Sequence, residues 1–284
     1  MNFTDRMIHY ATKPVPLRTL LLRRLLSRWP IGSYEGRVRA GAVDRPWYAW
    51  CLYYAAVEAK ALGYSAMTAV ELGVAGGNGL VSLCSHGDSI RKELGIEVVV
   101  VGFDAGTGLP ASKDPRDVQY FWPPAAFPMD VAALEQRLQG KARVILGDVA
   151  TTVRDWNPDE NAPLGAVMFD LDLYSSTMGS FALLEKENVL PRMWCYFDDI
   201  CVDEPEIALT DYIGEREAIR QFNLAPERRK MNDHLSPAYV FRHVDPGIWH
   251  HQIYLYHRLS HPRYEKCLYA HRAGNQLALR GNSR

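Results

Sequence analysis

Four acidic residues arrive in two pairs, each closing an apolar run: Asp170 and Asp172 in "FDLDLYSST", Asp198 and Asp199 in "CYFDDI". Strand residues two apart project to the same face, so Asp170 and Asp172 read as a strand-end pair. If the two runs are neighbouring strands, three or four carboxylates converge. Like charges that close must be neutralised by a proton or a cation. An all-oxygen cluster favours a hard ion such as Mg²⁺ or Ca²⁺. Such an ion could bind two vicinal substrate hydroxyls and acidify one, while a free carboxylate takes the proton. The alternative is plain helix capping at strand-to-helix turns, with no metal.

A second constellation lies upstream, in "VELGVAGGNGL". Its glycines, among them Gly73 and Gly77 on either side of Ala75, allow a tight turn and close approach of backbone to a ligand. The spacing is neither the dinucleotide fingerprint nor a phosphate-cradling loop. Glu71, two residues before Gly73, would repel a pyrophosphate and suits a cationic ligand such as S-adenosylmethionine, which carries a sulfonium and an amino group. The next apolar run ends at Asp104 in "VGFDAGTGLP", where an acid can accept both ribose hydroxyls. "ILGDVA" places Asp148 where an adenine amino group could be read, or where a helix N-cap is favoured.

The elements that must position these residues follow from hydrophobic periodicity. Short apolar runs at 66–72, 96–103, 142–147, 164–169 and 193–197 alternate with helical patterns at 79–94, 129–139, 175–187 and 211–223. Two more strands are expected at 235–244 and 248–259. Ahead of them stand a proline-started helix over 45–63 and a leucine- and arginine-rich helix over 16–29. Near-continuously apolar strands alternating with helices predict an α/β fold: a Rossmann-like, doubly wound, mostly parallel seven-stranded sheet with helices on both faces and an N-terminal helical extension. Such sheets bind ligands at the carboxyl ends of their strands, where the unusual residues lie. We expect a basic extension over 1–45, the main domain over 46–260 and a basic tail over 261–284.

The bulk numbers narrow the classes. The formal charge is −1, but residues 1–45 hold nine Lys/Arg against three acids, leaving an acidic middle that suits a cationic ligand and not nucleic acid. Five scattered cysteines without CxxC read as reduced thiols in a cytoplasmic protein. No apolar run reaches the length of a membrane span. The leucines at 17–26 are expected to pack on the domain or on another copy in a homo-oligomer, or else to attach to an anionic membrane surface. Tyr120, Trp122 and Phe127, in "VQYFWPPAAFPMD", would wall an apolar pocket if that segment forms a lid; the alternative is a packed surface loop. Tyr174 is a further candidate for substrate contact. The late histidines (His243, His250, His251, His257, His261) read as structural.

The ordered set "VELGVAGG", "GFDAGTGLP", "FDLDLYSST" and "YFDDI" resembles the metal-dependent class I methyltransferases of the macrocin O-methyltransferase group over residues 65–200. "GVAGGNGL" and "CYFDDI" are also similar to bacterial methyltransferase-like proteins of undefined substrate. The resemblance implies S-adenosylmethionine at Glu71, Gly73 and Asp104, Mg²⁺ at Asp170, Asp198 and Asp199, and Asp172 as general base toward a hydroxylated, sugar-containing acceptor of natural-product type. Leu171 stands where the group has glycine, and "PRMWCYFDDI" lacks its Gly-Gly turn. Two other functions are consistent with the motifs: a nucleotide-sugar glycosyltransferase using the D-x-D pair, and a non-catalytic module keeping the cofactor fold.

Overall fold

The computed structural model describes residues 17–201, 210–225, 229–234, 248–266 and 268. Three helices, α1 (Leu17–Arg28), α2 (Tyr34–Arg39) and α3 (Pro46–Ala61), precede the first strand. The chain then alternates: β1 (Ala66–Leu72), α4 (Asn78–Leu94), β2 (Glu97–Asp104), α5 (Val131–Leu138), β3 (Ala142–Leu146), α6 (Val149–Asp155), β4 (Leu164–Phe169), α7 (Tyr174–Ser180), β5 (Val189–Phe197), α8 (Gly214–Leu224), β6 (Arg229–Asp233) and β7 (Ile253–Arg258). The strands form one sheet in the order β3-β2-β1-β4-β5-β7-β6. Every pairing is parallel except those of β7 with β5 and β6. This is the Rossmann-like architecture expected from the alternation.

The central strands are apolar because both their faces are covered. β4 is buried throughout, and β1 beyond its first residue. On one side lie α3 and α4. The sequence of α3, "PWYAWCLYYAAVEAKA", is apolar nearly all round, as a helix enclosed on several sides must be. Its buried Glu58 is matched by Arg192 at 3.0 Å. On the other face Phe169, Phe181, Phe197 and Phe222 interlock, with Phe169 and Phe197 stacked 4.4 Å apart and 7° from parallel. Those two also pair in register across β4 and β5. Each directly precedes an acidic residue, so the register alone sets Asp170 beside Asp198.

The short helix α2, just ahead of α3, packs into the main core through Tyr34 and Val38, both buried. A buried polar chain ties this segment down: Tyr34 Oη to His86 Nδ1 (2.7 Å), His86 Nε2 to Ser82 Oγ (3.1 Å), and Ser82 Oγ to Asp44 Oδ2 (2.8 Å). Ser82 donates its one hydroxyl proton to Asp44, so His86 Nε2–H donates to Ser82 and Nδ1 accepts from Tyr34. The ring is thereby fixed neutral, and burial pushes its pKa down to about 4. α1 is attached at Arg23, which donates to the Ala40 carbonyl (2.8 Å), while Leu21, Leu22, Leu25 and Trp29 are exposed. Among the described residues no helix is long and apolar enough to cross a membrane.

Three elements were not expected from the sequence: α2, α6 and β6. β6 falls on "RKMND", where only Met231 is buried, so an edge strand of this composition leaves no alternation to read. The strand expected at 235–244 lies outside the described residues, as do His243 and Cys267. The other four cysteines are free thiols.

Candidate active site

At the carboxyl ends of β1, β2, β3 and β4 a cavity of about 570 Å³ opens. Its floor is the glycine turn after β1. Gly73 has φ +82°, and a Cβ there would lie 1.7 Å from the Asp170 carbonyl oxygen. A Cβ on Gly77 would fall 2.1 Å from Leu134 Cδ1. Gly73 is therefore demanded by packing against backbone as well as by conformation, and Gly77, at φ +75°, by its left-handed backbone. Ala75 accepts φ +41° without that freedom.

Asp104 fixes this turn. Its Oδ2 accepts the N–H groups of Val74 (2.8 Å) and Ala75 (2.9 Å), and its Oδ1 that of Gly106 (2.6 Å). Three of roughly four acceptor positions are thus filled by backbone, and the carboxylate staples β1 to β2 at the cavity floor. Glu71 lies one layer behind the cavity wall. Tyr48 Oη donates to its Oε1 (2.9 Å), its Oε2 is buried without a partner, and a Cβ on Gly79 would meet its Oε1 at 1.7 Å. Burial raises the Glu71 pKa to about 8, opposed by the Tyr48 hydrogen bond and by nearby Arg45. Asp148 lines the cavity and also caps α6, accepting the Thr151 N–H and hydroxyl, both at 2.9 Å.

The acidic pairs meet at the other end, though not by strand pleating. β4 stops at Phe169, and the Leu173 N–H bonds to the Leu171 carbonyl in a three-residue turn centred on Asp172. Asp172 has φ +60°, the rare, strained sense of such a turn. The turn, and not the two-residue period expected from the sequence, aims its carboxylate at the cavity. Its N–H donates to Asp199 Oδ2 (3.1 Å). Asp198 and Asp199 open a 3₁₀ turn after β5, and Tyr196 Oη donates to Asp198 Oδ1 (2.6 Å). Asp170, Asp172, Asp198 and Asp199 all line the cavity. Burial, then Asp170 and Asp198, push the Asp172 pKa up to about 7. Asp170 is driven well above the carboxylate range by burial, by Asp198 and Asp199, and by Glu71.

The oxygen-only donor set matches a hard divalent ion in chemistry. In arrangement it does not: among the described residues no group of three or more His, Cys, Asp or Glu stands ready to hold a metal ion. Asp198 Oδ1 and Asp199 Oδ2 are turned to Tyr196 and to the Asp172 N–H instead.

Two acids escaped the sequence reading. Glu215, fully buried at the start of α8, accepts the Asp199 N–H at Oε2 (3.0 Å), while its Oε1 is buried without a partner. Its signal was phase: it shares the helical stripe of Ala218, Ile219 and Phe222. Asp117, also fully buried, accepts the Ser175 N–H (2.7 Å) and hydroxyl (2.8 Å), capping α7 from a distant loop. That loop closes on itself through Leu109 and Ala125–Ala126 backbone bonds and walls the cavity with Trp122, Phe127 and Leu109. Tyr120 faces solvent at 71% exposure. The Tyr174 ring lies under the Arg116 guanidinium (3.8 Å) with its hydroxyl on Gln221 (2.8 Å), away from the cavity. His250, His251, His257 and His261 do not line it either.

No protein-family model matches the chain, and no curated protein matches it. Among solved structures it is similar to the calicheamicin methyltransferase CalS11, at 21% identity over 73% of this chain and 84% of that one, with a TM-score of 0.45. It is also similar to TomG from Streptomyces achromogenes, an O-methyltransferase in complex with SAM (11% identity, 90% and 98% covered, TM-score 0.41). A third is the O-methyltransferase from Bacillus cereus in complex with SAH (12% identity, 83% and 96% covered, TM-score 0.39).

Proposed function

We propose that the chain is an S-adenosylmethionine-dependent O-methyltransferase acting on a hydroxyl of a small, hydroxylated metabolite. One observation carries this reading. A glycine turn stapled by Asp104 and a buried carboxyl, Asp172, with its pKa near 7, face the same cavity at the strand ends. The adenosine end would lie toward β3, between Asp148 and the Trp122–Phe127 wall, and the methionine end toward β4. A 570 Å³ cavity is within the usual size for a small-molecule site.

In the reaction, Asp172 takes the acceptor hydroxyl proton. Bound S-adenosylmethionine would supply the methyl group to that oxygen, the C–S electron pair leaving on sulfur as the neutral thioether S-adenosylhomocysteine. Positioning and a base matched to neutral pH supply the rate. Mg²⁺ belongs to the proposal only as a bound ion: Asp170, Asp198 and Asp199 would hold it once they turn toward one another. A small-molecule acceptor, not nucleic acid, suits an acidic cavity. The free cysteines support a reducing, cytoplasmic setting, and the exposed Leu21, Leu22, Leu25 and Trp29 support self-association.

Isothermal titration of the full chain with S-adenosylhomocysteine tests the cofactor, with binding expected at micromolar level. Absence of binding at millimolar ligand, together with a thermal shift from a nucleotide-diphosphate sugar plus Mn²⁺, would move the assignment to a glycosyltransferase. Methyl-labelled cofactor offered with a panel of glycosylated and polyhydroxylated metabolites then identifies the acceptor.

A further inference from the structure

Helix α1 turns its apolar side to solvent, and its rotation is fixed by the side opposite. Arg23 donates to the Ala40 carbonyl (2.8 Å), and Arg23 and Leu26, three residues apart and half-buried, face the rest of the chain. Leu21, Leu22, Leu25 and Trp29 point the other way, each between 45% and 68% exposed. At 3.6 residues per turn these four positions fall within about 100° of arc, so they form one stripe and not scattered exposure. Ile31, just past the helix, is exposed as well.

The edge of that stripe carries charge of one sign. Residues 6–34 hold six Lys/Arg and no Asp or Glu. Arg24 and Arg28, one turn apart, lie within about 60° of Leu21 around the helix. Both are exposed, and neither side chain pairs with any described residue. The helix is twelve residues long, about 18 Å, so it is dimensioned to lie on a bilayer and not to cross one.

Apolar exposure alone suits a second copy of the chain equally well; the charge distinguishes the two occupants. Pairing this face with itself covers the leucines but sets Arg24 and Arg28 against cations or leaves them uncompensated. An anionic lipid surface matches both parts of the stripe: apolar side chains enter the acyl boundary, the Trp29 indole suits the headgroup level, and lipid phosphates meet the guanidinium groups.

We infer that α1 is an interfacial helix that docks the protein on an anionic bilayer, with Leu21, Leu22, Leu25 and Trp29 inserted and Arg24 and Arg28 on lipid phosphates. The attachment is independent of the cavity and of the S-adenosylmethionine reading. A stripe this short gives reversible binding that needs both contributions, with each arginine at the surface contributing about fivefold in lipid affinity.

Cosedimentation of the full chain with extruded vesicles tests this, comparing phosphatidylcholine alone with phosphatidylcholine containing about one third phosphatidylglycerol. Binding is expected on the anionic vesicles, about tenfold or more weaker on the neutral ones, and reversed at about 0.5 M NaCl, where the Debye length is roughly 4 Å. Arg24→Gln with Arg28→Gln should weaken it about 25-fold. Leu21→Asp with Leu25→Asp should abolish it. Both variants should keep the parent's melting temperature, because all four side chains are exposed. No binding to either vesicle overturns the inference, and so does equal binding to both, or equal binding by the parent and the arginine variant. Sedimentation velocity without lipid separates the rival occupant. A parent dimer that Leu21→Asp with Leu25→Asp turns into a monomer, with no vesicle binding by the parent, assigns the face to a second copy and overturns the inference.

Discussion

The backbone N–H of Asp172 donates to Oδ2 of Asp199 across 3.1 Å, so the turn carrying the candidate base is held by an acid from the neighbouring strand end. Asp199 is itself seated by Glu215 through its own N–H. Asp199→Asn keeps an acceptor oxygen and removes one charge from a crowded acidic set, so stability should hold or rise. Asp199→Ala leaves the Asp172 N–H without that acceptor and should cost about 1–3 kcal/mol. Urea unfolding of the two variants side by side checks this.

Asp172 combines strain with like-charge crowding, the signature of a residue kept for what it does and not for stability. Asp172→Gly removes both, and should raise the melting temperature by a few degrees, given that about 1 kcal/mol shifts a domain of this size by roughly 2–4 °C. Asp172→Asn should lower methyl transfer by about 10²- to 10⁴-fold with S-adenosylhomocysteine affinity nearly unchanged. The acidic limb of the rate profile, expected near pH 7, should vanish in that variant. Scanning calorimetry and single-turnover rates against pH supply the two readouts.

Glu71 and Asp172 give the ligand-free protein an unusual pH response. Their folded pKa values, about 8 and about 7, lie above the ordinary 4.5 and 3.8. Below about pH 4 both folded and unfolded forms are protonated. As pH rises the unfolded chain ionises first, so stability falls by up to about 1.4 kcal/mol per pH unit for each group until the folded pKa is passed. Melting temperature should therefore drop between about pH 4.5 and 8. Millimolar Mg²⁺ should restore it at pH 8 and do little at pH 5, if Asp170, Asp198 and Asp199 gather an ion. A flat Mg²⁺ response at pH 8 would remove the ion from the proposed function.

His86 works in the opposite direction. Its folded pKa, about 4, lies below the ordinary 6.5, so below pH 6.5 the unfolded chain takes up a proton that the folded one refuses. The stability due to neutral His86 is complete above pH 6.5 and declines at up to about 1.4 kcal/mol per unit toward pH 4. His86→Gln should be less stable than the parent at pH 7, and the gap should narrow as pH falls to 4. Parallel urea titrations at pH 7, 5.5 and 4 measure it.

The sheet was legible because β4 is an uninterrupted apolar run and β1 is broken only by Thr68 and Glu71, with glycine or acid after each strand, and the structure places both strands on the residues expected. The convergence of Asp170 and Asp198 was legible as a condition, that their strands be neighbours, which the Phe169–Phe197 register satisfies. What could not be read was set by contacts remote in sequence. Asp117 serves Ser175 from 58 residues away, and nothing in "KDPRDVQ" announces it. The turn at Asp172 was hidden because "DLD" fits a strand equally well, and only the end of β4 pairing at Phe169 decides between them. Tyr120 and Trp122 are indistinguishable by type, but the fold of their loop sends one to solvent and one to the cavity.

The Asp117–Ser175 cap has a kinetic consequence. The loop that walls the cavity and the helix that follows the candidate base are fastened by two charge-assisted hydrogen bonds, worth about 1.5–3 kcal/mol each. Any opening of the loop would therefore carry α7 with it or would first have to break both bonds. In the first case each opening withdraws Asp172 from the acceptor, so ligand exchange and chemistry are geared to exclude one another. Turnover would then be timed by the fastening, and loosening it with Asp117→Asn would speed release at the expense of the reactive geometry.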